Sequence, residues 1–395
     1  MISRIMLEHV LNSSIIREMF EEGKRLGAIY GEENVFDFSL GNPNVEPPAS
    51  IKTAIVEILD EEKPNFIHGY MNNSGYLDVK ARIANSLEKK YKVSLNEKNI
   101  VMSCGAAGGL NVVLKTLLNP GDEVIVIAPY FLGYSSYVKN FGGELVVVPA
   151  DAETFMPKLE LLEKAINKKT KALIINSPNN PTGVIYSETV IRELTNLLDT
   201  KQKELGINIY LISDEPYREI AYDHTEVPYV LNFYENSFVV YSYSKSLSLP
   251  GERIGYIVSH GAMDDFDMIS QALNAATMIL GFVNAPSLFQ RVIARCLDSE
   301  VDVTIYKNNR DLLYNHLTSI GFSCIKPQGA FYLFPKSLIA DDKCFADEAK
   351  KFNLLMVPGS AFACPGHVRL SYCISADKIE RSLENFTKLA KVYLG

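Results

Sequence analysis

Ser242-Tyr243-Ser244-Lys245-Ser246-Leu247-Ser248-Leu249-Pro250-Gly251-Glu252-Arg253-Ile254-Gly255 follows directly on the apolar run 238–241. A lysine at a strand end among hydroxyl residues is, taken alone, an ordinary solvated side chain, because lysines are rarely buried. Arg253 on the same Ser- and Gly-containing loop changes that reading. One amine able to condense with an aldehyde and one guanidinium fork able to hold a phosphate dianion now share a short segment. The hydroxyls of Ser242 and Ser244 can add hydrogen bonds to the same phosphate.

Outward from this segment the chain alternates. Residues 100–102, 123–127, 144–148, 172–175, 209–212 and 238–241 are short β-rich runs with helical patterns between several of them. Such alternation predicts an α/β fold with a mainly parallel sheet covered by helices. Ahead of it, residues 13–27 place Ile15, Ile16, Met19, Phe20 and Leu26 near one helical face, with Ser13 or Ser14 as N-cap. Residues 35–40 read as a strand stopped by Gly41-Asn42-Pro43, a natural crossing between domains. After Gly281 the pattern becomes α+β: a long helix over 285–315, short strands near 322–325, 330–334 and 368–372, and a closing helix from Ala376. At 395 residues the chain exceeds one ordinary core. The expected division is a large domain at 46–284 and a discontinuous small domain made of 1–45 and 285–395.

Composition excludes several functions. Hydrophobic residues make up 47% and charged residues 22% of the chain, and no stretch approaches the roughly 18 apolar residues of a membrane span. The N-terminal ten residues carry Arg4, Glu8 and His9 and do not read as a signal peptide, so a cytoplasmic, soluble protein is expected. A formal charge of −8 argues against a nucleic-acid or anionic-membrane partner. The six cysteines are scattered without CxxC spacing and the six histidines form no HxxxH pair, so neither a metal site nor a disulfide framework is expected.

The segment around Lys245 and Arg253 resembles the lysine-attachment signature of the class I and II aminotransferases, the fold-type-I enzymes dependent on pyridoxal 5'-phosphate, and the resemblance covers nearly the whole chain. It implies the fold-type-I architecture, a mainly parallel seven-stranded-type sheet with helices on both faces plus a smaller α+β domain. It also implies that Lys245 carries the cofactor as a Schiff base. Asp214, in Ser213-Asp214-Glu215-Pro216-Tyr217 after the run 209–212, matches the aspartate that keeps the pyridine nitrogen protonated, which makes the ring an electron sink. As a bare residue it also fits a helix N-cap. Tyr217 matches the tyrosine that bonds the ring's phenolate oxygen. Ser177-Pro178-Asn179-Asn180-Pro181-Thr182-Gly183 is a turn by composition. By resemblance its Asn180 donates to the same oxygen and contacts the substrate.

The turn Ser103-Cys104-Gly105-Ala106-Ala107-Gly108-Gly109 joins a strand to a helix, where exposed amides suit phosphate. It lacks the GxGxxG order of a dinucleotide site. The resemblance assigns Gly105, Ala106 and Ala107 to the cofactor phosphate, beside Ser242, Ser244 and Arg253. Many family members have Ser or Thr where Ala106 and Ala107 stand, so one hydroxyl contact is missing. In Pro129-Tyr130-Phe131 the resemblance assigns Phe131, with Tyr130 as alternative, to stack on the pyridine ring. Tyr70, in His68-Gly69-Tyr70, matches the tyrosine that reaches the phosphate in a neighbouring subunit, which implies a homodimer with shared sites. Arg369, in Val368-Arg369-Leu370-Ser371, matches the arginine that grips an α-carboxylate bidentately, and Gly41 lies on the loop that closes over the substrate.

The expected function is therefore transfer of an amino group between an α-amino acid and a 2-oxo acid, in ping-pong order. A β-lyase acting on cysteine- or cystathionine-like substrates would use the same lysine, aspartate and arginine. An effector-sensing module is disfavoured by the acidic charge and by the lack of a DNA-binding segment before residue 13. The stretch Gly281-Phe282-Val283-Asn284-Ala285-Pro286 carries no arginine where one aspartate-specific subgroup has it.

Overall fold

The computed structural model describes residues 2–3, 6–7, 10 and 15–395. Its strands are β1 (Phe36–Asp37), β2 (Ile100–Ser103), β3 (Glu123–Ala128), β4 (Glu144–Pro149), β5 (Thr170–Asn176), β6 (Tyr210–Asp214), β7 (Ser237–Ser242), β8 (Gly255–Ser259), β9 (Tyr332–Leu333), β10 (Leu354–Leu355), β11 (Val357–Pro358) and β12 (Val368–Ser371). Seven of them form one sheet in the order β2-β8-β7-β6-β5-β3-β4. The pairs β3–β4, β3–β5, β5–β6 and β6–β7 are parallel, and β8 alone runs the other way, between β2 and β7. The α/β class with a mainly parallel seven-stranded sheet, expected from sequence, is the architecture found.

The six apolar runs become β2 to β7 because strands covered on both faces need near-continuous Val, Ile and Leu. β6 and β7 are buried along their whole length, whereas the edge strand β4 leaves Glu144 and Val147 exposed. The seventh strand, β8, is not among the runs that the sequence pattern marks as strands. Its signal was the run 254–258, and its register sets Gly255 opposite both Ser103 and Ser242. The parallel strands thus end at one edge, on Ser103, Ala128, Asn176, Asp214 and Ser242. In sheets of this type ligands bind beyond that edge.

A second core gathers Phe38, Tyr306, Leu313, Phe331, Phe345, Leu354 and Phe386 around the antiparallel sheet β11-β12-β9 and the pair β1–β10. The run 35–40 is therefore a strand of only two residues, paired with β10 rather than with the large sheet. The long helix expected over 285–315 is two helices, Ser287–Arg295 and Thr304–Ser319. In the segment between them the Asp302 carboxylate accepts from the Thr304 backbone N–H at 2.9 Å. Ala285, Val292, Ile293 and Cys296 pack into the core beneath the large sheet. No strand forms at 322–325, and 330–334 yields only β9. The opening helix is Ile15–Tyr30 and the closing one Ala376–Leu394; Ser13 and Ser14, expected to cap the first, lie outside the described residues. Among the described residues no helix is long and apolar enough to cross a membrane.

Candidate active site

A cavity of about 200 Å³ opens beyond the strand ends, bounded by Ala106, Ala107, Phe131, Asn180, Asp214, Tyr217, Ser242, Ser244, Lys245 and Arg253. Ten expected site residues therefore share one wall. Lys245 stands on the one-turn helix Tyr243–Ser246, whose start is capped by the Ser242 hydroxyl accepting from the Ser244 N–H at 3.2 Å. Its ammonium donates to the Gly41 carbonyl at 2.7 Å and lies 5.5 Å from the Phe331 ring centre. Burial lowers its pKa from 10.5 to about 8; Cys373 opposes the shift, and Arg253 and Arg369 add to it. An amine near neutrality can be a nucleophile or a base.

Asp214 ends β6 and is 5% exposed. Tyr134 donates its hydroxyl to one carboxylate oxygen, Oδ2, at 2.6 Å, while Oδ1 has no partner. Burial raises the carboxyl pKa from 3.8 to about 7, with the Tyr134 bond partly opposing. A buried polar oxygen left unpaired is costly. A cationic N–H donor in the cavity would satisfy it.

The neighbouring strand end is tied to this one by Asn176. Its amide nitrogen donates to the Asp214 carbonyl at 2.8 Å and its amide oxygen accepts from the Asn180 N–H at 2.7 Å. Asn180 in turn accepts through Oδ1 from Arg369 Nη1 at 3.1 Å. Arg369 is 2% exposed, donates through Nη2 to the Ser39 carbonyl at 2.5 Å, and leaves Nε without a partner. Tyr217 and Tyr332 share a hydroxyl–hydroxyl bond of 2.9 Å, and burial holds the Tyr217 phenol well above its ordinary pKa.

At the other end Gly105, with φ +69°, starts the helix Gly105–Leu117. A Cβ there would stand 2.7 Å from the Arg253 guanidinium, so glycine is required both by the left-handed backbone and by the closeness of the arginine. Arg253 Nη1 donates to the Pro250 carbonyl at 2.8 Å and approaches the Ser244 hydroxyl at 3.4 Å. Ser242 and Ser244 are themselves bonded at 2.8 Å. The amides of the helix start, two hydroxyls and one guanidinium make an anion cradle.

Phe131 lines the cavity, with its ring edge-on to Tyr134 at 5.5 Å. Tyr130 instead donates its backbone N–H to the Phe362 carbonyl at 3.3 Å. Tyr70 is 94% exposed and does not line the cavity of its own chain. Sequence reasoning missed Tyr134, Tyr137, Asn176 and Tyr332. The first two lie on the helix that follows Phe131, on its cavity side; Tyr332 was read only as part of a strand pattern.

These residues can hold a planar, phosphorylated aldehyde: an amine for its carbonyl, a carboxylate for a ring nitrogen, a phenol and an amide for a ring oxygen, and a cradle for its phosphate. The family model described as aminotransferase class I and II matches residues 33–386. The chain is 30% identical over 370 residues to the probable aspartate/prephenate aminotransferase of Aquifex aeolicus, covering 90% of this chain and 91% of that one. It is 31% identical over 376 residues to the aspartate aminotransferase of Thermotoga maritima, covering 94% and 95%. A crystal structure of an amino transferase from Eubacterium rectale superimposes with a TM-score of 0.97 at 44% identity, over 100% of both chains.

Proposed function

The chain belongs to the class I and II aminotransferases, a transaminase dependent on pyridoxal phosphate, and from that premise we propose how its own residues divide the work of moving an amino group between an α-amino acid and a 2-oxo acid. The observation that carries the reading is the unpartnered Asp214 Oδ1 facing the same cavity as the Lys245 amine, whose pKa burial lowers to about 8. When bound, pyridoxal phosphate supplies an electron sink conjugated to the substrate α-carbon and carries the amino group from donor to acceptor.

Asp214 Oδ1 would accept the pyridine N–H and keep that proton in place, with Tyr134 fixing the carboxylate's orientation through Oδ2. Tyr217 and Asn180 would donate to the phenolic oxygen. The helix amides at Gly105, Ala106 and Ala107, the hydroxyls of Ser242 and Ser244, and Arg253 would hold the phosphate. Phe131 would stack on the ring. Arg369 exchanges its bond to Asn180 or Ser39 for a two-point grip on the α-carboxylate, and the loop at Gly41 closes over the substrate. Lys245, freed by the incoming substrate amine, would take the α-proton and hold it for delivery to the cofactor's aldehyde carbon, on the far side of the nitrogen. Donor and acceptor occupy the same cavity in turn, which gives ping-pong kinetics.

We further propose a two-domain division with its first boundary near residue 45. The second lies nearer 297 than 285, since the helix Ser287–Arg295 packs into the core of the large sheet. A homodimer in which Tyr70 reaches the phosphate of a second copy accounts for a tyrosine that is 94% exposed between the exposed apolar residues Phe66 and Leu77. Six free cysteines suit the reducing cytoplasm.

The test is rapid mixing of the holoenzyme with single amino acids and no oxo acid. Loss of the visible cofactor band, with one equivalent of 2-oxo acid formed and restoration of the band by a second oxo acid, is expected. Catalytic release of pyruvate and ammonia from a β-substituted amino acid, with no amino acid discharging the band, would make the enzyme a β-lyase.

A further inference from the structure

Tyr332 touches three parts of the site that come from distant stretches of chain. It sits on β9 opposite Ser371 of β12. Side chains two apart on a strand share a face, so Tyr332 is the diagonal neighbour of Arg369. The centre of its ring is 4.7 Å from the Arg369 guanidinium carbon, and the Phe362 ring stands at 4.9 Å. Its hydroxyl lies 2.9 Å from that of Tyr217, which follows β6 of the large sheet. A Cβ added at Gly41 would overlap the same hydroxyl, and the Gly41 carbonyl is what receives the Lys245 amine.

We infer that Tyr332 is a positioning residue with two separable functions: its hydroxyl directs the proton of Tyr217 into the cavity, and its ring orients Arg369 for the carboxylate. The inference rests on the proposed assignment of Tyr217 to the phenolic oxygen of the cofactor and of Arg369 to the substrate.

Each phenol has one proton to give. Without an acceptor in the cavity the two hydroxyls satisfy each other. Once Tyr217 turns its proton toward an anionic oxygen in the cavity, its own oxygen accepts from Tyr332, and the chain Tyr332 to Tyr217 to acceptor runs in one direction. Such chains polarise one another, so the last donor is strengthened. Both protons are present throughout the working range, because burial lifts Tyr332 to about 12 and Tyr217 well above its ordinary value. The ring acts on a different partner. Flanked by two aromatic rings, bonded through Nη1 to Asn180 and through Nη2 to the Ser39 carbonyl, the guanidinium is left with only Nε unpaired. The rings stabilise the cation by charge–quadrupole attraction and limit its tilt.

Substitutions separate the two functions. Tyr332→Phe removes the hydroxyl and keeps the ring; Tyr332→Leu removes both; Tyr217→Phe sets the full effect of losing the phenol. Two quantities are read on the holoenzymes. The first is the pH midpoint of the visible cofactor band. The second is affinity for 3-phenylpropionate, a carboxylate with no amine to react. A phenol bonded to the cofactor oxygen weakens that oxygen's hold on the neighbouring imine proton, so a weakened donor raises the midpoint. Tyr332→Phe should raise it by about 0.5 unit, less than Tyr217→Phe, and leave carboxylate affinity within about twofold. Tyr332→Leu should raise the midpoint equally and weaken the carboxylate by about tenfold. An unmoved midpoint in Tyr332→Phe overturns the hydroxyl function. Unchanged carboxylate affinity in Tyr332→Leu overturns the ring function, and Tyr332→Met, which also lacks the ring, replaces it if the leucine variant does not fold. A wild-type protein with no visible band would overturn the site reading itself and this inference with it.

Discussion

Asp214→Asn removes one charge from the end of β6 while keeping an oxygen for the Tyr134 hydroxyl; it should stabilise the cofactor-free protein and slow the loaded one. In the cofactor-free protein burial raises the carboxyl from 3.8 to about 7. A folded-state pKa above the unfolded one means full stability below about pH 4, where both states are protonated. That stability is lost as the pH rises through about 7. Three pKa units correspond to about 4 kcal/mol, spread over a chain whose length makes this about 5 °C of melting temperature. Asparagine does not ionise, so the cofactor-free variant should melt above wild type at pH 8, with the gap shrinking by about 3 kcal/mol at pH 5.

Loading narrows that gap. The aspartate then faces a pyridine N–H, and the carboxylate that was a burden becomes half of a buried charged hydrogen bond, of a kind that contributes roughly 1.5–3 kcal/mol. Turnover in Asp214→Asn should fall by at least about two orders of magnitude, or about 2.7 kcal/mol of barrier. Thermal melts at pH 5 and pH 8, with and without pyridoxal phosphate, and steady-state turnover read both halves. Equal melting of the two cofactor-free proteins at pH 8 would refute the desolvated carboxyl. Near-normal turnover would mean that some other group faces the ring nitrogen.

Borohydride reduction of the holoenzyme should fix the cofactor to the peptide containing Lys245, and Lys245→Ala should give no labelled peptide. Because burial lowers this amine to about 8, its acylation in the cofactor-free protein should rise with a midpoint near that pH; a midpoint near 10.5 would place the amine in water. Mixed dimers test Tyr70: Tyr70→Ala and Lys245→Ala chains expressed together should regain activity through one undamaged site per dimer. Activity no higher than that of either parent dimer would confine Tyr70 to its own subunit or remove it from the site.

The fold was legible where its cause is local. β3, β5, β6 and β7 are continuous apolar runs because the sheet buries both of their faces, and the ends of β6 and β7 could be read from Asp214 and Ser242. What escaped was set by distant packing. β8 begins within the turn after Arg253, and its direction follows from the return of the chain between β2 and β7. The break between Arg295 and Thr304 interrupts an otherwise helical pattern with no glycine or proline to mark it. Tyr134, Asn176 and Tyr332 had no motif to announce them, since each acts by touching a residue more than thirty positions away in sequence.

The distinction between a site and a strut is visible one residue beyond Asp214. Glu215 and Arg218 are also buried ionisable groups, but Glu215 accepts from Ser213 and from Arg218, and Arg218 donates further to the Val227 and Pro228 carbonyls at 2.8 Å. The Arg218 guanidinium also lies 5.0 Å from the ring centres of both Tyr91 and Tyr229. That network closes on itself, and breaking it by removing one partner would leave a buried charge unpaired, at a cost to folding. Around the cavity the balance is the reverse. Asp214 Oδ1 and Arg369 Nε have no partner, and the Lys245 ammonium has a single carbonyl. Asp214 and Lys245 line the cavity, and Arg369 is joined to it through Asn180, so the bonds still to be made there are those the proposed cofactor and substrate would supply.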